Sequence, residues 1–196
     1  PIIGAIYLRK TKYAPILIFI RTFVTIIAHI YYVEYLYKNT DGLDPIYNDE
    51  FHFIRYALLG TDYIVLDTIF SHGTSSYYAY FLAFVEPLCL DVRLFARAIN
   101  SLVFVFIVLY SDKLATIVGI SNKYKSYIIY LLLMSPSFMF FQTKILRDTL
   151  IVLFFTMLIY YLQNKKIIKL LLSSTVLFML RKHLVLAFCY AIPFLY

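Results

Sequence analysis

Residues 15–37 read PILIFIRTFVTIIAHIYYVEYLY, and this apolar run points to the class of fold. A helix needs about 20 mostly apolar residues to cross a bilayer, and the run supplies that length. The whole chain shares this character, because its 196 residues are 62% hydrophobic and 15% charged, with a mean hydropathy of +0.79. A water-soluble globule cannot cover so much apolar surface. The composition therefore argues against a soluble enzyme, a disordered chain and a nucleic-acid-binding domain.

Further apolar stretches follow, and each predicts a spanning helix or the beginning of one. Their approximate bounds are 94–110, 127–141, 149–162, 167–180 and 184–196. The stretch 77–90 is short and contains Glu86 and Pro87, which is typical of an interfacial or re-entrant helix. We predict an all-α fold, a polytopic transmembrane helix bundle forming a single domain over residues 1–196. Because the chain begins at Pro1 and stops within an apolar run, we expect a fragment of a longer protein.

The charges predict the orientation of the bundle. Lysine and arginine are in excess in three short segments, 1–14, 112–126 and 164–169, whereas residues 38–92 carry two basic residues against eight acidic ones. The positive-inside rule places the three basic segments on the cytoplasmic side of the membrane. That assignment requires the stretch 77–90 not to cross. Residues 38–92 are therefore predicted to form one long external loop carrying short interfacial helices.

The external loop contains a predicted short helix, residues 47–60, which reads YNDEFHFIRYALLG. Asp49 and Glu50 fall in its first turn, where acids stabilise a helix by about 0.3–1 kcal/mol, and this role alone explains them. The functional alternative is a catalytic acid pair in which one carboxylate is the general base for an acceptor hydroxyl. Asp49 could instead ligate a divalent cation, Mg²⁺ or Mn²⁺. His52 shares the face of Asp49 and is either structural or part of the site.

Basic residues recur at the predicted external ends of the spans, against the usual cytoplasmic bias. They are Arg93, Arg97, Arg147 and Arg181, with Asp148 beside Arg147. Snorkelling explains any one of them, but together they suit a lipid phosphate or a pyrophosphate leaving group. Arg21, His29 and Asn100 lie at bilayer depth, where ionisable and polar side chains usually face a cavity or a partner.

Four sequence features follow one another along the chain. They are NDEFHFIRYALLG at 48–60, SSYYAYFLAFVEPL at 75–88, RLFARAINSLVFVFIVLY at 93–110 and MSPSFMFFQTKILRDTLIVLF at 134–154. This order resembles the N-terminal half of the GT-C membrane glycosyltransferases of the protein mannosyltransferase type, which use polyprenyl- or dolichyl-phosphate-linked sugars. The resemblance covers roughly residues 15–165.

The resemblance implies transfer of a sugar, with inversion, from a lipid-phosphate-linked donor to an acceptor on the external face of the membrane. It implies that Asp49 is the catalytic or metal-linked acid, with Glu50 beside it, and that Arg147 and Asp148 lie near the sugar phosphate. The expected partners are the bilayer and the lipid-linked donor, with no nucleic acid. The expected location is the cytoplasmic (plasma) membrane.

Two other functions stay open at the level of sequence. A polymerase or ligase of polysaccharide repeat units would use a lipid-linked oligosaccharide, and the motifs do not separate it from a glycosyltransferase. A transporter module or a structural membrane subunit would be non-enzymatic. Transporters place polar residues at mid-membrane and break helices with Gly or Pro, whereas the spans here contain few glycines and the polar residues cluster at external ends.

Overall fold

The computed structural model describes residues 14–31, 53, 76–143 and 147–191. Within these residues the chain is helical apart from turns and caps and contains no strand, which confirms the all-α class. In chain order the helices are α1 (Ala14–Tyr31), α2 (Ser76–Val85) with a following 3₁₀ turn (Glu86–Leu88), α3 (Val92–Ile117), α4 (Asn122–Met134), α5 (Pro136–Thr143), α6 (Asp148–Gln163) and α7 (Ile167–Ala191).

Among the described residues, α1 and α3 are the two helices long and apolar enough to cross a membrane. α6 is apolar but shorter. α1 buries only 22% of its residues against the rest of the protein, whereas α3 buries 50% of its most apolar window. The uncovered face of α1 includes Phe19 and Phe23, which are 50% and 63% exposed. A continuous apolar face of this kind favours a lipid environment over water.

Contacts between side chains fix the directions of the helices. His29 of α1 contacts Arg97 of α3, and Arg21 contacts Phe104, so α1 and α3 run antiparallel. His29 comes late in α1 and meets Arg97, which comes early in α3, whereas the earlier residue Arg21 meets the later residue Phe104. The C-terminal end of α1 therefore lies beside the N-terminal end of α3.

The pairing of α3 with α6 is parallel. Leu150, at the start of α6, packs against the cluster that contains Ala96, while the hydroxyl of Tyr161, near the end of α6, lies 2.7 Å from that of Tyr110. α7 returns antiparallel, since Arg181 lies beside Asp148 at the start of α6.

These directions give the bundle two chemically different ends. The charged end contains the C-terminus of α1 and the residues Asp91, Arg93, Arg147, Asp148 and Arg181. The opposite end contains the turns 118–121 and 164–166. The arginines that the sequence assigned to external helix ends thus share one end of the bundle.

Both turns at the opposite end close with the same hydrogen-bond pattern. After α3, Gly119 has φ +80° and Ile120 donates its N–H to the carbonyl of Ala115. After α6, Lys165 takes the corresponding left-handed position with φ +54°, and Lys166 donates to the carbonyl of Tyr161. This arrangement satisfies carbonyl groups that a helix C-terminus otherwise leaves without donors.

One predicted span differs from the helices observed. The span predicted at 127–141 is interrupted, because α4 ends at Met134 and Pro136 begins α5. Proline has no N–H and cannot continue the hydrogen-bond ladder, but it suits the first position of a new helix. The stretches predicted at 167–180 and 184–196 correspond to two helical segments of α7 that meet at a kink at Arg181 (φ −161°, ψ 88°), and the second is described as far as Ala191.

Within the described part of the chain, the core consists of three clusters joined through α6. The largest contains Ile18, Phe104, Ile107 and Leu133, from α1, α3 and α4. Leu150 is partly buried and packs against all three clusters. The start of α6 is therefore fixed relative to both α3 and α7, and it carries Arg147 and Asp148.

Candidate functional site

The predicted acidic residues Asp49 and Glu50, together with His52, lie outside the described residues. Phe53 is described, is 4% exposed and makes an edge-to-face contact with Tyr78 at 5.0 Å between ring centroids. It belongs to the cluster of Val92 and Ala96 at the start of α3. Phe53, four residues after Asp49 in the sequence, therefore packs against the charged end of the bundle.

Arg97 is fully buried, although the sequence predicted a phosphate-binding side chain at an external helix end. Its Nη1 atom lies 2.9 Å from Nδ1 of His29. Arginine only donates hydrogen bonds, so Nδ1 of His29 must be the acceptor and lack a proton. The neutral ring then carries its proton on Nε2. That nitrogen lies 3.8 Å from Oδ2 of Asp91.

Asp91 connects this pair to the first turn of α3. Its carboxylate accepts the N–H of Arg93 at 2.8 Å, which makes it the N-cap of the helix, and Oδ1 lies 3.4 Å from Nε of Arg93. Partial burial by itself raises the pKa of Asp91. The backbone N–H and the guanidinium of Arg93 outweigh burial and hold the pKa below its ordinary value. Asp91 is therefore ionised at neutral pH.

The second charged group lies between α6 and α7. Nη1 of Arg181 lies 3.8 Å from Oδ1 of Asp148, and Nη1 of Arg147 lies 3.4 Å from the carbonyl oxygen of Leu180. The side chains of Arg181 and Asp148 are 50% and 35% exposed. This group is more accessible than Arg97, and exposed pairs of this kind are only weakly coupled.

The structure gathers the four predicted arginines at one end of the bundle, in two groups. Arg93 and Arg97 lie with His29 and Asp91 on α1 and α3, while Arg147 and Arg181 lie with Asp148 on α6 and α7. Leu150 packs against hydrophobic clusters beside both groups.

Sequence reasoning gave no role to Asp91 and no partner to His29. The signal for Asp91 was present, because an Asp immediately before an apolar helix is a preferred N-cap. The sequence indicated the pairing of His29 with Arg97 only indirectly. A buried arginine needs an acceptor, and antiparallel packing of the first two spans brings the end of α1 to the start of α3.

Arg21 has a structural role that the sequence did not predict. It is 3% exposed, and its Nη1 atom donates to the carbonyl of Leu133 at 2.6 Å and contacts that of Leu132 at 3.4 Å. Its guanidinium also lies 3.8 Å from the centre of the Phe104 ring. The last carbonyls of a helix have no donor within the helix, so Arg21 caps α4 from a distant helix.

No group of three His, Cys, Asp or Glu side chains able to hold a metal ion is found among the described residues. The predicted ligand Asp49 lies outside them. Mg²⁺ and Mn²⁺ prefer oxygen ligands, and a carboxylate such as Asp49 is of that kind.

Comparison of the chain with protein-family models, with curated proteins and with solved structures finds no match. The geometry of the charged end and the order of motifs along the sequence are therefore the basis for assigning a function.

Proposed function

We propose that the protein is a multi-pass membrane protein of the plasma membrane, with its charged end on the external face. Support comes from the length and apolarity of α1 and α3 and from the helix directions: α3 and α6 run parallel, and α1 and α7 run antiparallel to them. The turns at the opposite end carry the lysine-rich segments, as the positive-inside rule requires of a cytoplasmic face. The 13 residues of α4 are continued by α5 across the break at Ser135.

We propose that the charged end transfers a sugar from a lipid-phosphate-linked donor to an acceptor. The observation that carries the proposal is the gathering of Arg93, Arg97, Arg147 and Arg181 at one end of an otherwise apolar bundle. Guanidinium groups bind phosphate oxygens with two directed hydrogen bonds, and they remain charged at a membrane surface.

In the proposed reaction the acceptor oxygen attacks the anomeric carbon, a new C–O bond forms, and the bond from that carbon to the phosphate oxygen breaks. Asp49 takes the proton of the acceptor hydroxyl, and the lipid phosphate leaves with the bonding electron pair. Arg147 and Arg181 offset the negative charge that develops on the phosphate. A divalent cation bound through Asp49 would supply the same kind of charge stabilisation.

A polymerase of lipid-linked repeat units is the second candidate, because the same cations would hold its pyrophosphate leaving group. A structural subunit is the non-enzymatic alternative. The two charged groups favour an enzyme, since arginines placed purely as anchors need not converge from three helices.

Sugar transfer should be measured with the protein in liposomes that contain a polyprenyl-phosphate-linked sugar and an acceptor. Asp49→Asn, Glu50→Gln, Arg147→Gln and Arg181→Gln should each lower the rate by about 100-fold or more, the range typical for a general base or an oxyanion-stabilising donor. Asp112→Asn is the matched control, because Asp112 lies on the last part of α3 near the opposite end. Transfer that survives both loop substitutions would refute the catalytic assignment.

The proposed orientation has its own test in Cys89, which is partly exposed and lies just before α3 at the charged end. In a Cys189→Ser background, a membrane-impermeant maleimide should label Cys89 only from the external side. Ser121→Cys, in the turn after α3, should react only from the cytoplasmic side once Cys89 is replaced by Ser. Labelling of both positions from the same side of sealed vesicles would contradict a spanning α3.

A further inference from the structure

The end of the bundle opposite the charged end carries a cluster of tyrosines between α3 and α6. The hydroxyl of Tyr110 lies 2.7 Å from that of Tyr161, and their ring centroids are 5.9 Å apart. The ring of Tyr160 makes edge-to-face contacts with both, at 5.2 and 5.3 Å between centroids. Tyrosines are enriched where a membrane protein passes from the hydrocarbon core into the headgroups.

Two lysines from different helices lie against this cluster. Nζ of Lys113, on α3, is 5.3 Å from the centre of the Tyr110 ring, and Nζ of Lys169, on α7, is 5.9 Å from the centre of the Tyr161 ring. Both lysines are exposed. An ammonium group over an aromatic face is attracted by the ring quadrupole, so the hydrogen-bonded tyrosine pair holds one exposed cation at each of its rings.

Among the described residues, no ion pair offsets the charge of these two lysines. Asp112 is the acid that the described part of the chain places at this end, and it lies in no ion pair with a described lysine. Lys165 and Lys166, in the turn after α6, add two more exposed cations. This end therefore presents a surface that attracts anions.

The tyrosine pair also has a hydrogen-bond donor to offer. Each hydroxyl carries one proton, and the bond between Tyr110 and Tyr161 uses one of the two. The other proton can be donated to an oxygen outside the pair. A phosphate oxygen is a strong acceptor, and a phosphate between Lys113 and Lys169 would present one to this donor.

The position of Lys113 along α3 suits the headgroup region of a bilayer. It lies about 30 Å from Val92, at the start of α3, for a rise of about 1.5 Å per residue. The hydrocarbon core of a bilayer is also about 30 Å thick. A spanning α3 that begins at one surface therefore brings Lys113 to the other surface, at the level of the lipid phosphates.

We propose that Lys113, Lys169 and the Tyr110–Tyr161 pair bind the headgroup of an anionic phospholipid of the cytoplasmic leaflet, with the phosphate between the two ammonium groups. Basic groups between spanning helices on the cytoplasmic side bind anionic headgroups in this way. A choline headgroup fits less well, because lysines already contact the ring faces that could hold its quaternary ammonium. The inference rests on the proposed membrane orientation and is independent of sugar transfer at the charged end.

The test uses phosphatidylglycerol with a diazirine beside its headgroup, with the protein in phosphatidylcholine nanodiscs. Irradiation should label positions 110–113 and 161–169, and excess unlabelled phosphatidylglycerol should suppress this labelling. Phosphatidylcholine with the same diazirine should label these positions at least about tenfold less. Equal labelling by the two lipids would overturn the preference for an anionic headgroup. Equal suppression by water-soluble glycerol 3-phosphate would assign the site to a free phosphate and overturn the lipid.

Lys113→Gln combined with Lys169→Gln is the principal variant, and it should lower the labelling at least about tenfold. Lys123→Gln combined with Lys166→Gln is the matched control, because these lysines are also exposed, lie at the same end and give the same change of charge. The control should leave the labelling nearly unchanged. Lys113→Arg combined with Lys169→Arg keeps both charges and should retain it. Equal losses in the principal and control variants would show that the whole surface, not this cluster, attracts the lipid.

The maleimide experiment on Cys89 separates this inference from the proposed orientation. If Cys89 reacts from the external side and the two lipids label equally, the headgroup site is wrong and the orientation stands. If phosphatidylglycerol labels as expected and Cys89 reacts only from the cytoplasmic side, the site stands in the external leaflet and the proposed orientation is wrong.

Discussion

The guanidinium of Arg21 lies 2.6 Å from the carbonyl oxygen of Leu133, at the point where α4 stops. Two residues later Pro136, which has no N–H, begins α5. In an uninterrupted helix the N–H of residue 136 would donate to the carbonyl of Leu132, which is within 3.4 Å of Arg21. The arginine of the first helix therefore supplies a donor to carbonyls at the end of α4, where Pro136 of α5 has no N–H to offer.

Arg21→Met should destabilise the protein by about 1–3 kcal/mol, because buried carbonyls lose a charged donor. Pro136→Ala restores an N–H at the break, so the cost of Arg21→Met should be smaller in that background. The unfolding free energies of the two single variants and the double variant, measured in one detergent, give a coupling that we expect to exceed about 0.5 kcal/mol. Strict additivity would show that Arg21 and Pro136 act independently.

The bond between Arg97 and His29 predicts a difference between two substitutions of similar size. His29→Asn can present its side-chain oxygen close to the position of Nδ1, whereas His29→Leu removes the acceptor. The Leu variant should be less stable than the Asn variant by about 1–3 kcal/mol, since Arg97 is fully buried and loses this acceptor. Thermal unfolding of both variants under one condition tests this, and equal stabilities would contradict it.

Asp91 predicts a pH dependence with a definite sign. Its pKa is lower in the folded protein than its ordinary value of 3.8, so its ionised form stabilises the fold above that pH. The contribution is lost as the pH falls through the lowered folded value. Asp91→Asn keeps the N-cap but has no charge, so it should be less stable than the parent at pH 7 and approach it below about pH 4.

Unfolding free energies of the parent and Asp91→Asn between pH 7 and pH 3 measure this dependence. A difference that stays constant across the range would assign the effect to packing rather than charge. Asp91→Ala provides the comparison for the cap itself, because it should lose about a further 1 kcal/mol at every pH.

Lys165 lies in the left-handed region with φ +54°, a conformation that costs a residue with a Cβ atom about 1–2 kcal/mol. Lys165→Gly should therefore stabilise the protein, by up to about 1 kcal/mol after the entropy of the unfolded chain is deducted. Lys166→Gly removes the same charge from the next position, where φ is not positive, and should destabilise. Equal effects in thermal unfolding would show that charge, not backbone conformation, dominates this turn.

Sequence reasoning located the charged end but not the contacts within it. Helices that alternate in direction place Arg93, Arg147 and Arg181 at one end whatever their rotation, so hydropathy and charge were sufficient. The partners of Arg97 and Arg21 depend on how each helix is rotated about its axis. The sequence of α1 does indicate its rotation, because Arg21, Thr25 and His29 repeat every four residues on one face, but nothing local shows which residues of α3 and α4 that face meets.

At the break after α4, too, the sequence predicted the helix end but not the contact that stabilises it. Pro136 in the sequence indicated a helix end, and the structure has one there. The donor that compensates for it stands 112 residues earlier than Leu133, and no local pattern connects the two. The catalytic roles of Asp49 and Glu50 remain predictions from motif and charge.

The distance along the chain between Arg21 and Leu133 has a consequence for biogenesis. A ribosome that adds about 5–20 residues per second needs roughly 6–22 s to make the intervening 112 residues. Throughout that interval the first helix carries an arginine whose final acceptor has not been synthesised. Until α4 has been synthesised, the nascent first helix must keep this charge hydrated or hold it against an anionic or carbonyl group. Maturation of the first helix is thus tied to the arrival of the fourth.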